Sequence, residues 1–445
     1  MKRKGLAAGC AALLLAVSGT SGCSPGGACV ITDAQGERLA TVTDLTYGET
    51  ACTREEYRAY VDLVIQEARQ ALEDEELLHG GYTIRTAFSA DALAAMQAAC
   101  EDGGLETGAG CVVTDLDGQI LAAYSAGGDP QTNYALRSTY PCSALKPLSV
   151  YAPALDKGRI NWTTAFEDSP VKTLTADDGA ETPWPANADG QYTGQPMRVC
   201  DAIRQSINTV AVRCLQTLTV EESIAFLGDT LGMNLAFEKQ MIEQAGGEEI
   251  WGNLALGYLY HGLSPVDMAG YYQIFAAGGV YTPPHAILDI RDSSGAVLFE
   301  SRAEPRQVIG TDTACIMNHL LQLVTAPGGT GAEARLDGVP VAGKTGTSSY
   351  NQDNWFVGVT PDYSCAVWHG EPPRSSGEGN RASRLFHDIL SAMSQDIQQD
   401  FPDDAGVRQA AYCRETGLLL SAECKQMEVG FFRADAMPGT CPGHA

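Results

Sequence analysis

Positive charge is scarce in this sequence. Its 445 residues include 29 Lys and Arg against 55 Asp and Glu, which gives a net charge of −26. Because binding to phosphates requires clustered Lys and Arg, we expect no nucleic-acid partner. Histidine is also scarce: the seven His residues are scattered, and no Gly-x-Ser-x-Gly motif is present. A catalytic triad built on histidine is therefore not expected.

The sequence also lacks an apolar run long enough to span a bilayer comfortably. Residues 5–17 are apolar and follow three basic residues at positions 2–4, which is typical of a secretory signal peptide. Small residues then precede Cys23, and this pattern resembles the lipobox of bacterial lipoproteins. We predict a signal peptide over 1–22, lipidation of Cys23, and attachment to the extracytoplasmic face of the bacterial membrane. Ordinary cleavage and an uncleaved anchor are the alternatives.

Short metal-binding motifs are missing as well. Without Cys10 in the signal and Cys23 at its end, twelve of the fourteen cysteines remain, yet no Cys-x-x-Cys motif or His pair is present. Metal binding is therefore the weaker interpretation, and we expect no metal and no cofactor. An exported protein can oxidise its cysteines. The three cysteines near the C-terminus favour a small disulfide-stapled tail, although their spacing does not specify the pairing.

The remaining composition, 44% apolar and 19% charged, is that of an ordinary globular protein. Apolar positions at helical spacing predict a helix over residues 54–78 that ends at Gly80-Gly81. Asp117-Gly118 between two β-rich runs predicts a hairpin. Further helices are predicted over 196–218, 219–232 and 264–279, and successive strands over 339–349, 354–360 and 363–370.

Strands at both ends of the chain with helices between them indicate an α+β fold, in which an antiparallel sheet is packed between helices. We expect an N-terminal tether and small segment over 23–80, a main domain over 81–400, and a Cys-containing tail over 401–445.

Three short motifs carry candidate chemistry, and two of them occur twice. Ser-x-x-Lys occurs at Ser143–Lys146 and at Ser169–Lys172. Ser143 and Lys146 open a predicted helix, so their side chains share one face beside free backbone N–H groups and a partial positive charge. That setting favours a developing oxyanion and disfavours a protonated lysine. Ser169 is followed by a proline in a polar stretch, and Ser143 is the better nucleophile.

Ser-x-Asn occurs at Ser206–Asn208 and at Ser349–Asn351, whereas Lys-Thr-Gly occurs once, at Lys344. Ser206 and Asn208 lie in a helical stretch, where residues two apart diverge by roughly 200°. If both side chains face one cleft, the helix must break between them. Lys344 opens a strand flanked by glycines, which would let a substrate backbone approach the strand edge.

The order of these motifs resembles that of penicillin-binding proteins and serine β-lactamases. Most of residues 80–395 resembles the transpeptidase domain of class A penicillin-binding proteins, as does the closing tail with Cys413, Cys424, Cys441 and His444. The matching segments are GGYTIRTAFSADALAAMQ, GQILAAYSAGG, NYALRSTYPCSALKP, IRQSINTVAVRCL, LALGYLYHGLSPVDMAGYYQIFAAGG and GGTGAEARLDGVPVAGKTGTSSYNQDNWFVGVTPDYSCAVWHG.

The resemblance implies a transpeptidase fold over 81–400 and a serine D,D-transpeptidase that cross-links peptidoglycan stem peptides and is acylated by β-lactams. It makes Ser143 the nucleophile, Lys146 its general base, and Ser206 the proton relay to the leaving group. Asn208 would hold the substrate amide and contact Lys146.

The Lys344 motif takes a substrate-binding role in the same family. The resemblance implies that Lys344, Thr345 and Thr347 bind the substrate carboxylate, with Gly346 between them. The backbone N–H groups of Ser143 and Thr347 would form the oxyanion hole. The charge of Lys344 near Lys146 should also lower the pKa of Lys146.

Two departures from the family pattern stand out. Cys142 occupies the position before the nucleophile, where glycine is usual, and no Glu-Asp-x-x-Phe-type motif of a glycosyltransferase precedes the homologous region. We therefore expect no glycan polymerisation, and a separate glycosyltransferase is a candidate partner.

Two alternative functions stay open, namely a D,D-carboxypeptidase or β-lactamase-like hydrolase, and a β-lactam-binding or wall-binding protein with little turnover. No Glu-x-x-Leu-Asn stretch follows the nucleophile to supply a deacylation base.

Overall fold

The computed structural model describes residues 27–444, except 47, 73–80, 103–104, 106, 177, 246–247, 349–351, 371–379 and 399. The signal peptide over 1–22 and the lipidated Cys23 lie outside the described residues and stay predictions. Within the described ranges, no helix is both long enough and apolar enough to cross a bilayer.

Eleven α-helices occur in the described part of the chain. They are α1 (Arg58–Ala71), α2 (Ala90–Asp102), α3 (Ala152–Asp156), α4 (Val199–Gln205), α5 (Asn208–Leu215), α6 (Val220–Ile224), α7 (Ala236–Ala245), α8 (Glu248–Leu256), α9 (Pro265–Ala276), α10 (Thr311–Thr325) and α11 (Arg381–Met393).

The strands fall into two larger sheets and several two-stranded pairs. They are β1 (Cys29–Thr32), β2 (Arg38–Val42), β3 (Thr50–Cys52), β4 (Thr83–Thr86), β5 (Ala109–Asp115), β6 (Ile120–Ala126), β7 (Ala165–Glu167), β8 (Lys172–Thr175), β9 (Glu181–Trp184), β10 (Pro196–Arg198), β11 (Val280–Tyr281), β12 (Ile287–Arg291), β13 (Val297–Glu300), β14 (Arg306–Gln307), β15 (Ala342–Thr347), β16 (Asp353–Val359), β17 (Tyr363–Gly370), β18 (Val407–Cys413) and β19 (Met427–Arg433).

The main sheet confirms the α+β prediction. Its five strands lie in the order β15-β16-β17-β5-β6, and every pair is antiparallel. Helices α2 and α11 pack together on one face, whereas α9 and α10 pack against the sheet from the other. Because helices cover both faces of the sheet, side chains that point to either face are buried in β5, β16 and β17.

The second sheet combines segments that are distant in sequence, in the order β13-β12-β4-β1-β2-β3. Strands β1 and β4 are parallel, and β4 pairs antiparallel with β12, with Ile84 opposite Ile290. Helix α1 is tied to this sheet by Glu67, whose carboxylate accepts hydrogen bonds from the N–H groups of Ala286 (2.7 Å) and Ile287 (3.2 Å). Strand pairing therefore crosses the boundary that the sequence places near residue 80.

Helix ends were predicted less well than strands. The helix expected over 54–78 begins as a short 3₁₀ turn at Glu55 and its α-helical part ends at Ala71, before the glycine pair. Leu72 leaves the helix with φ −99° and ψ 73°, so the end is set by a local turn rather than by Gly80-Gly81. The hairpin at Asp117-Gly118 and the three successive strands near the C-terminus are confirmed.

The tail folds into a hairpin of β18 and β19. This hairpin packs on α10. Phe431 stacks on His319 of that helix with ring centroids 3.5 Å apart. Arg433 forms an ion pair with Asp312 at 2.7 Å. The tail is therefore attached to the helical face of the main domain.

Candidate active site

Ser143 lies in a 3₁₀ turn over Cys142–Leu145, and Lys146 follows as the first residue after it. The backbone then widens into a π-helical turn over Pro147–Tyr151 before α3 begins. Pro153 falls at the start of α3, where its missing N–H is tolerated. Ser143 is half-buried, whereas Lys146 is completely buried one turn later.

Cys142 stands in the left-handed region of the backbone, with φ 50°. Glycine adopts that conformation without steric cost, which explains why the family pattern favours glycine there. The Cys142 N–H donates to the carbonyl oxygen of Gly257 at 3.0 Å, which holds the turn in place. The thiol is buried, and burial raises the pKa of Cys142 well above its ordinary value. A reactive role for this thiol is therefore not supported.

Two glycines allow neighbouring elements to approach this turn closely. A Cβ added at Gly257, which has φ 77°, would overlap the carbonyl oxygen of Cys142. A Cβ added at Gly346 would overlap the carbonyl oxygen of Pro141. Glycine on β15 was interpreted as room for a substrate backbone, but at Gly346 the close neighbour is the nucleophile turn itself. The importance of Gly257 had no signal in the sequence.

The predicted helix break at Ser206 is confirmed. Helix α4 ends at Gln205, Ser206 takes a left-handed conformation (φ 60°, ψ 35°), and α5 begins at Asn208. The kink brings both side chains toward the lysines of the site, because the roughly 200° divergence of a continuous helix is removed. Such strained backbone positions are common at functional sites.

Lys146 bridges the two residues of this break. Its Nζ donates to Asn208 Oδ1 at 2.6 Å and to the carbonyl oxygen of Ser206 at 2.9 Å. Burial lowers the pKa of Lys146 well below its ordinary value, and the nearby charge of Lys344 lowers it further. The predicted influence of Lys344 is thus confirmed in direction, although burial is the larger cause.

Lys344 is also buried, and it reaches the same break from β15. Its Nζ donates to Ser206 Oγ at 2.8 Å and to the carbonyl oxygen of Thr345 at 3.2 Å. Burial lowers the pKa of Lys344 to about 7. Thr345 Oγ1 lies 2.8 Å from Thr330 Oγ1, a partner that the sequence did not indicate, whereas Thr347 is exposed at the end of the strand.

A buried polar network supports Asn208, and no sequence pattern indicated it. Asn187 Oδ1 accepts from the N–H groups of Asn208 (3.0 Å) and Thr209 (3.4 Å), and so caps α5 from a distant loop. Asn187 Nδ2 in turn donates to Asp168 Oδ1 at 2.8 Å. Although burial raises it, the pKa of Asp168 is lowered overall by hydrogen bonds from Thr209, Thr193 and Asn187.

The second Ser-x-x-Lys motif forms no comparable site. Ser169 Oγ accepts a hydrogen bond from Arg213 Nη2 at 3.0 Å, and Lys172 is exposed on β8. Lys172 instead lies 5.2 Å from the ring centre of Trp184. The second Ser-x-Asn motif, at 349–351, lies outside the described residues.

Known proteins resemble this chain in both sequence and fold. Residues 108–391 match the family model described as the penicillin-binding protein transpeptidase domain. Penicillin-binding protein 1A of Clostridium botulinum (strain Hall) is 33% identical over 294 residues, which cover 63% of this chain and 34% of that protein. Penicillin-binding protein 1F of Bacillus subtilis is 30% identical over 359 residues, covering 75% of this chain and 47% of that protein. The chain thus spans a third to a half of these relatives.

Solved structures with the same fold have lower sequence identity. Penicillin-binding protein 1A from Haemophilus influenzae superposes with a TM-score of 0.71 at 18% identity, covering 89% of this chain and 78% of that one. The D,D-transpeptidase domain of a peptidoglycan glycosyltransferase from Eggerthella lenta has a TM-score of 0.63 at 19% identity, covering 84% of this chain and 99% of that one. Because the family model covers more than half of the residues, the chain belongs to the penicillin-binding protein transpeptidase family.

Proposed function

We propose that this protein is a serine D,D-transpeptidase that cross-links peptidoglycan stem peptides through an acyl-enzyme on Ser143, and that β-lactams acylate the same serine. The observation that carries the proposal is the environment of the Lys146 amine. A neutral amine has two N–H bonds and one lone pair, and Lys146 Nζ donates to two acceptors, Asn208 Oδ1 and the Ser206 carbonyl. Those two hydrogen bonds use both N–H groups and leave the lone pair for the proton of Ser143.

Acylation follows from this arrangement. Ser143 Oγ forms a bond to the carbonyl carbon of the penultimate D-alanine while its proton passes to Lys146. Collapse of the tetrahedral intermediate breaks the peptide bond, and the terminal D-alanine leaves as an amine after it receives a proton. Ser206 Oγ lies 2.8 Å from Lys344 Nζ, so that pair can deliver the proton to the leaving nitrogen. The amine of a neighbouring stem peptide then attacks the ester and releases Ser143.

The binding of the terminal carboxylate is assigned to the Lys344 strand. The Lys344 ammonium offers a positive charge, and the hydroxyl groups of Thr345 and Thr347 can donate hydrogen bonds to a carboxylate. Thr347 is exposed at the C-terminal end of β15, which leaves its hydroxyl accessible to a ligand. The backbone N–H groups of Ser143 and Thr347 are the proposed oxyanion hole.

Hydrolysis is the less supported reaction. A fast hydrolase needs a carboxylate that can activate water, and Asp168 is a buried carboxylate that contacts α5. Its oxygens already accept hydrogen bonds from Thr209 Oγ1 (2.6 Å), Asn187 Nδ2 (2.8 Å) and the Thr193 N–H (2.9 Å). These contacts make Asp168 a support for α5 rather than a free base.

Incubation with a synthetic stem peptide ending in D-Ala-D-Ala tests this function. We expect D-alanine release together with a cross-linked product when an amine acceptor is present, and slow release without it. Release of D-alanine at the same rate with no cross-linked product would favour a carboxypeptidase. No release at all, by a protein that still binds penicillin covalently, would favour the low-turnover binding role.

The contact between Gly257 and Cys142 provides a second test. We expect Gly257→Ala to slow acylation by penicillin by about 10²-fold, because its Cβ would displace the turn that carries Ser143. Gly295→Ala is the matched control: Gly295 also has positive φ (85°), but a Cβ added there meets nothing within 4 Å. The control should lose about 1–2 kcal/mol of stability and keep its acylation rate. Equal acylation rates for the two variants would refute the positioning role of Gly257.

A further inference from the structure

The tail hairpin brings together four side chains that are scattered in sequence. Cys413 ends β18, Cys424 lies in the connection to β19, and the segment after β19 folds back so that the Cys441 N–H donates to the Leu419 carbonyl at 2.8 Å. The sulfur atoms of these cysteines and a ring nitrogen of His444 all lie within 4.8 Å of one another. His444 Nε2 is 3.0 Å from Cys413 Sγ and 3.7 Å from Cys441 Sγ.

The surroundings of these atoms suit the binding of a metal ion. His444 Nδ1, the ring nitrogen that faces away from the sulfurs, lies 3.1 Å from the carboxylate of Glu415. A carboxylate on the outer nitrogen is the arrangement that orients a metal-binding histidine. Hydrogen-bond donors also surround one of the sulfurs: the Ser421 N–H lies 3.4 Å from Cys424 Sγ, and the Ser421 hydroxyl lies 3.3 Å from it. Such donors stabilise thiolates.

We propose that Cys413, Cys424, Cys441 and His444 bind one Zn²⁺ ion. Three thiolates and one imidazole form a four-ligand set that is typical of structural zinc sites. With Zn–S bonds of about 2.3 Å, the ligand atoms of a tetrahedral site lie about 3.8 Å apart, so the observed cluster needs to contract by about an ångström at most. Soft sulfur ligands favour zinc over magnesium or calcium.

A disulfide explains the cluster less well. Pairing two of the three cysteines would leave the third thiol unpaired, and it would give neither His444 nor Glu415 a role. The sequence predicted no metal because its ligands are far apart: only Cys441 and His444 are separated by two residues, and the others are brought in by the hairpin.

The proposed zinc has a structural role rather than a catalytic one. Four protein ligands fill a tetrahedral site and leave no position for a substrate or an activated water. The hairpin packs on the main domain through Phe431, whose ring centre is 5.4 Å from that of Trp162, and through Tyr412, whose hydroxyl is 3.8 Å from Cys200 Sγ on α4. The ion would therefore stabilise the hairpin where it packs against α4 and α10. It would take no part in acyl transfer.

Metal analysis of the full chain tests the proposal. We expect one equivalent of zinc per chain after reconstitution with ZnCl₂ and gel filtration, and absorption typical of tetrahedral thiolate coordination when Co²⁺ replaces zinc. His444→Ala and Cys424→Ser should each lose most of the bound metal. Cys52→Ser is the matched control, because Cys52 is a partly exposed thiol on β3 outside the cluster.

Two further measurements make the outcome decisive. Zinc should raise the Tm of the wild-type chain by several degrees and leave that of His444→Ala unchanged, since a ligand that binds only the folded state stabilises it. Penicillin labelling of the folded protein should not change when the metal is removed. A reconstituted wild-type chain without zinc, or an intact mass that shows a disulfide among Cys413, Cys424 and Cys441 in the folded protein, would overturn the proposal.

Discussion

Ser143→Ala should eliminate covalent labelling by a fluorescent penicillin. The acyl-enzyme is an ester of the Ser143 hydroxyl, and alanine has no oxygen with which to form it. The fold should survive, because Ser143 is only half-buried and the turn is held by backbone contacts such as the Cys142 N–H to the Gly257 carbonyl. The measurement is fluorescence of the protein band after denaturing electrophoresis, together with the mass of the labelled protein.

The chain contains its own control for this experiment. Ser169→Ala removes the serine of the second Ser-x-x-Lys motif, whose hydroxyl contacts Arg213 Nη2. This variant should label like the wild type. Labelling that persists in Ser143→Ala, or a label that mass spectrometry maps to another residue, would refute the assignment of the nucleophile.

Lys146→Ala should slow acylation by about 10²–10⁴-fold, which corresponds to roughly 3–5 kcal/mol of transition-state stabilisation. The reason is the loss of the only atom assigned to take the Ser143 proton. Lys172→Ala, at the exposed lysine of the second motif, should leave the rate unchanged. The measurement is the second-order rate constant for acylation, with a thermal unfolding curve to verify that each variant is folded. A Lys146→Ala rate within a few-fold of wild type would remove Lys146 from the mechanism.

The pH dependence of acylation provides an independent check of the base. Burial, and then the charge of Lys344, lower the pKa of Lys146. Below that lowered pKa the amine is protonated and has no lone pair, so the wild-type rate should fall as the pH decreases through it. Lys344→Gln removes the neighbouring charge, which raises the pKa of Lys146 and should move the acidic limb to higher pH. An acidic limb at the same pH in both proteins would contradict the coupling.

The parts of the site that could be predicted are those with a local signature. The Ser206 break followed from spacing alone, because two side chains two residues apart cannot face one cleft from a continuous helix. The strand carrying Lys344 was predicted as the first of three successive strands near the C-terminus. Lowering of the Lys146 pKa by Lys344 followed from placing two like charges in one site.

The parts that were missed depend on contacts between distant segments. Asn187 caps α5 from a loop about twenty residues upstream, and its short polar side chain has no pattern that distinguishes it from an ordinary turn residue. Gly257 is essential to the nucleophile turn only because Cys142 lies against it in the fold. The tail cluster is likewise created by the hairpin, since its ligands are not spaced as in a short metal motif.

The second sheet also closes a long loop of the chain. Arg85 and Asp289 form an ion pair across β4 and β12, although 204 positions separate them. The segment between them contains Ser143, Ser206 and Gly257, so much of the site lies on one very long closed loop. Entropy makes closure of such a loop slower than formation of a hairpin such as β18–β19. We therefore expect a mutation that weakens the pairing of β4 and β12 to slow the folding of the long loop that carries the site.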